Sequence, residues 1–87
     1  RPRVEMNLGL ALIGRARESA AARDYPAAYR LAMRARGIFI RINDSFSGNS
    51  DPFLKRLSPE RRQYYINRSR EYRDLCRQMV ASYGKKL

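Results

Sequence analysis

The side chains able to carry chemistry are few in this chain and poorly grouped. Glu71 and Asp74 stand three residues apart, a spacing that puts two carboxylates on one helix face. Such a pair does acid–base work when one member is held protonated, but Arg70, Arg73 and Arg77 surround these two, and neighbouring guanidinium groups favour the ionised form. They read as salt-bridge partners. Ser69 and Ser82 have no activating base because the chain contains no His, and Cys76 lacks the same partner. A single thiol forms no internal disulfide, and one soft ligand among scattered carboxylates falls short of a zinc site. The expectation is a chain with no catalytic residues, no metal and no cofactor.

What the sequence does offer is positive charge. Its 87 residues hold 19 Lys and Arg against 8 Asp and Glu, a formal net charge of +11. Sixteen of the cations are Arg, whose planar five-donor fork suits phosphate and carboxylate partners. Hydrophobic residues make up 44%, which is ordinary for a folded domain, and a chain of this length buries roughly 64% of its unfolded surface. That is enough for one modest core and too little for a deep cleft between lobes. The longest mostly apolar uncharged run, Met6 to Gly14, is too short to span a bilayer. A start at Arg1 without an initiator methionine reads as a piece of a longer protein.

Three amphipathic helices would position these groups. Over residues 4–23, Gly9, Leu12, Ile13, Ala16 and Ala20 repeat at three-and-four spacing. Asp24-Tyr25-Pro26 stops that helix and restarts another, since Pro lacks the N–H of an interior helix bond but fits a first turn. The second helix, 26–42, carries Ala28, Leu31, Ala32, Ala35, Ile38, Phe39 and Ile42 on one face. Residues 43–57, rich in Asn, Asp, Ser and Gly, read as a loop with a helical turn near Pro52 to Arg56, tacked down by Phe46, Phe53 and Leu54. Ser58-Pro59-Glu60 then opens a third helix, 58–83, which Gly84 ends. The predicted fold is an all-α, three-helix antiparallel bundle in a single domain covering 1–87.

The segment AARDYPAAYRLAMRARGIFIRIN, Ala21 to Asn43, resembles the junction of helices one and two in the microtubule-interacting-and-trafficking (MIT) domain. Ala22, Tyr25, Ala28, Leu31 and Ala35 follow that family's small-residue and tyrosine pattern. YINRSREYRDLC, Tyr65 to Cys76, is similar to the Tyr-Leu-Asp-Arg-Ala-Glu segment of sorting ATPases that carry this domain. Tetratricopeptide hairpins show Ala and Tyr at comparable spacing. The MIT resemblance covers most of residues 9–80. It implies a non-catalytic docking module for short C-terminal segments of ESCRT-III membrane-remodelling proteins, held between helices two and three or between helices one and three. The implied groove residues are Leu31, Met33, Ile38, Tyr65, Ile66, Ser69, Tyr72, Leu75, Cys76 and Met79, with Tyr72 and Met79 the best placed to meet a ligand. The implied rim is Asn67, Arg68, Arg70, Glu71, Arg73, Asp74 and Arg77.

Two departures from the family matter. Asn67 stands where the ATPase-type domain has an Asp that pairs with an Arg of the ligand, and Arg70 stands where it has a Glu. Both remove negative charge, so an acidic segment is a better electrostatic match than the family's basic one. The competing expectation is a polyanion such as nucleic acid or the acidic tails of tubulin, met by Arg30, Arg34, Arg41, Arg61 and Arg62. The resemblance further implies a monomeric domain in the cytoplasm, brought to membranes or microtubules by its partners.

Overall fold

In a computed structural model that describes residues 2–48 and 56–87, Asp24 separates the first two helices by capping the second. Its carboxylate accepts from the Ala27 N–H at 3.3 Å and its carbonyl from the Ala28 N–H at 3.0 Å, satisfying donors that a first turn leaves open. The preceding helix, α1 (Pro2–Ala21), closes with Arg23 in the left-handed region at φ 63°. The Arg23 and Asp24 N–H groups return to Ala20 and Ser19 carbonyls at 3.0 and 2.8 Å, a Schellman closure. It ends two residues earlier than expected because this turn uses Ala22 and Arg23.

The second helix, α2, runs Tyr25–Gly48, six residues beyond the expected stop at 42. Turn-forming composition misleads at Asn43–Gly48, since tertiary contacts override local propensity there. Asn43 is buried and hydrogen-bonded to the third helix, while Phe46 is fully buried with its ring stacked on Tyr65 at 5.1 Å. Residues 49–55 of the expected loop, including Pro52, Phe53 and Leu54, lie outside the described residues.

The third helix, α3, spans Pro59–Gly84. Ser58 caps it by accepting from the Arg61 N–H at 3.2 Å, and Pro59 fills the first turn. Gly84 keeps helical backbone and is not a left-handed stop, and the end is closed instead by the Lys85 N–H on Ala81 O at 3.4 Å.

The three helices form an antiparallel bundle 43 × 18 × 17 Å in extent. α2 is its spine, packed along both neighbours, whereas α1 and α3 barely touch each other. The core follows from this: Leu12, Ile13 and Ala16 of α1, Ala32, Ala35, Ile38, Phe39 and Ile42 of α2, and Tyr65, Cys76 and Met79 of α3. Small α2 residues near Ala28 and Ala32, both fully buried, let the helices close up, and a Cβ built on Gly84 would lie 3.5 Å from the Tyr29 ring.

Candidate docking groove

Because α1 and α3 flank α2 without closing on each other, a groove runs between their N-terminal halves. Met6, Asn7 and Leu10 of α1 form one wall, with Tyr64, Tyr65 and Tyr72 of α3 opposite, and the space between is about 500 Å³. Tyr64 is 56% exposed and Leu10 37% exposed, so the lining presents apolar surface to an incoming chain. Arg3, Arg61 and Arg68 stand along it against a single carboxylate, Glu60. Arg68 is itself placed, bonded to Glu71 at 3.0 Å with its guanidinium 5.5 Å over the Tyr64 ring. That contact and the perpendicular Tyr65 ring, 5.6 Å away between centroids, orient the exposed ring.

The residues expected to form a groove divide by burial. Ile38, Tyr65, Ser69, Cys76 and Met79 are buried between the helices, and as core members Ile38, Ser69, Cys76 and Met79 offer a ligand almost no surface. Met79, expected among the most accessible, is only 7% exposed. Leu31, Ile66, Tyr72 and Leu75 are half-buried at the core's edge. Met33 is exposed on α2, away from this groove. Of the ten, Tyr65 and Tyr72 line the α1–α3 groove. Ile66 lines a smaller depression between α2 and α3, about 400 Å³, with Phe46, Leu57 and Arg62.

The expected rim is mostly occupied by local pairs. Asn67 accepts from Gln63 at 2.8 Å, and Arg73 reaches Asp74 at 3.4 Å. Arg70 and Arg77 are exposed. Among the expected polyanion contacts, Arg62 donates to the Phe46 carbonyl at 3.1 Å, so it serves α2's end, whereas Arg30, Arg34 and Arg41 are exposed on α2. The α1 wall, Arg3, Met6, Asn7 and Leu10, and Tyr64 opposite it were not among the residues expected at a groove. The available signal was Leu10, which lies off the buried α1 stripe at helical spacing.

Chemistry at the remaining reactive groups is muted. Burial pushes the Cys76 thiol up to about 11, with Arg17 and Arg36 opposing only in part, so it stays protonated and unreactive near neutrality. Among the described residues no cluster of three potential metal ligands forms, and no helix is long and apolar enough to cross a membrane. Compared with protein-family models, curated proteins and solved structures, the chain finds no match.

Proposed function

We propose that this chain is a non-catalytic docking module that receives a short, acidic segment of a partner protein in the α1–α3 groove. The observation that carries this reading is the pairing of exposed Leu10 and Tyr64 with Arg3, Arg61 and Arg68 around one concave strip. Apolar anchors supply affinity in such grooves, and rim charges fix register and exclude wrong partners. Arg3 and Arg61, beside an Arg68 already paired with Glu71, outnumber Glu60 at the groove and favour an acidic ligand over a basic one. The MIT resemblance supplies the candidate source: tail segments of ESCRT-III-type filament proteins, in the variant of that docking that uses helices one and three. On this reading the module is cytoplasmic and brings a larger protein to membranes through its partner.

Calorimetric titration with an acidic tail peptide tests it. Binding that drops at least tenfold, about 1.4 kcal/mol, in both L10A and Y64A supports the groove. Unchanged affinity in both variants contradicts it.

A further inference from the structure

The face of α2 opposite the groove carries a second, differently shaped surface. Arg30, Arg34, Gly37 and Arg41 are all exposed there and fall within roughly 60° of arc, with Arg30 and Arg41 about 16 Å apart along the axis. No Asp or Glu occurs between Asp24 and Asp44, and none of these three arginines has an ion-pair partner in the described residues. The buried α2 residues Ala28, Ala32, Ala35, Phe39 and Ile42 lie on the other side of the helix, so this row forms a convex basic ridge. At its middle, a Cβ built on Gly37 would meet nothing within 4 Å. A helix-interior glycine destabilises the helix relative to alanine, and packing within this fold does not require one here. It is what close backbone approach by an outside partner requires.

We infer that this ridge docks in the major groove of duplex DNA, with Arg30, Arg34 and Arg41 on phosphates and Gly37 at the closest approach. Shape selects among anionic partners. A convex helix of about 10–12 Å diameter matches the roughly 12 Å major groove of B-form DNA, whereas the A-form RNA major groove is too deep and narrow to admit it. Helix-in-groove docking of a peptide uses a concave seat, and an interfacial helix pairs its basic face with apolar residues that insert into lipid. Along this ridge only Met33, to one side, is a large exposed apolar side chain.

The test is fluorescence anisotropy of the whole chain with a labelled 20-base-pair DNA duplex and the equivalent RNA duplex, over a range of salt. Each phosphate contact contributes about 0.9 to the slope of log K against log salt, so R30Q/R34Q/R41Q should flatten it by about 2.7. R70Q/R77Q, on α3, should leave it unchanged, with circular dichroism confirming that both variants stay helical. G37L should melt at a higher temperature yet bind DNA roughly tenfold more weakly. An unchanged slope in the triple variant, an equal loss in the α3 control, RNA bound as tightly as DNA, or full DNA affinity in G37L overturns the proposal.

Discussion

Gly9 of α1 and Phe39 of α2 are in such close register that a Cβ on Gly9 would lie 2.5 Å from the tip of the Phe39 ring. The ring is fully buried and also packs against Tyr72, whose centroid is 5.2 Å away. One aromatic side chain of the spine thereby sets the spacing of α1 and, through Tyr72, a wall of the α1–α3 groove. G9A gains helix propensity but drives a methyl into that ring, and overpacking of this kind outweighs the gain. Urea unfolding should show a net loss of about 1 to 2 kcal/mol, partly restored by F39L in the double variant.

Asn43 joins the far end of the spine to α3. Its side-chain amide donates to the Ser69 hydroxyl at 3.1 Å and the Ile66 carbonyl at 3.2 Å, and Ser69 donates to that same carbonyl at 3.1 Å. N43A leaves the buried Ser69 hydroxyl without its donor and should cost about 1 to 3 kcal/mol. In a double-mutant cycle with S69A, the two losses should fall short of additive by at least about 0.5 kcal/mol. Strict additivity would mean that the two groups act separately.

Cys76 predicts a pH effect of definite sign. Its folded-state pKa, about 11, lies above the ordinary value of 9.0, so the folded state keeps a proton that the unfolded chain releases. The contribution of this group is complete below pH 9 and is lost as pH rises towards 11. Chemical denaturation in that window should show the wild type losing stability faster than C76A. At pH 8 the thiol should react with an aromatic disulfide reagent only as fast as the chain unfolds.

Gly14 separates folding from docking. It is exposed one helical turn beyond Leu10, and a Cβ there would meet nothing within 4 Å. G14A should raise stability by about 0.5 to 1 kcal/mol. It should leave binding of an acidic peptide unchanged, because Gly14 is not among the residues that line the groove. A higher melting temperature with unchanged peptide affinity is the expected outcome.

Three helices and their junctions were legible from sequence because caps and prolines act locally. Asp24 with Pro26 and Ser58 with Pro59 mark the same helix starts in the structure. Asn43 to Gly48 could not be read this way, since their helical state depends on a buried amide meeting Ser69 and a ring meeting Tyr65, partners 26 and 19 residues away in the chain. The site was harder for a related reason. Periodicity identifies the apolar face of each helix but not which neighbour covers it, so Cys76 and Met79, which the resemblance places in a groove, turn out to be core. Leu10 and Tyr64 lie off the main stripes, and only the weak α1–α3 pairing brings them to one groove.

An NMR titration with an acidic and a basic helical tail peptide, each at low and high salt, tests the docking account most directly. The account predicts that the acidic peptide shifts Leu10, Tyr64 and Tyr72 resonances and that these shifts persist when screening shortens the Debye length to about 3 Å at 1 M salt. Shifts confined to arginine side chains and abolished by salt, or equal binding of the basic peptide, would contradict it.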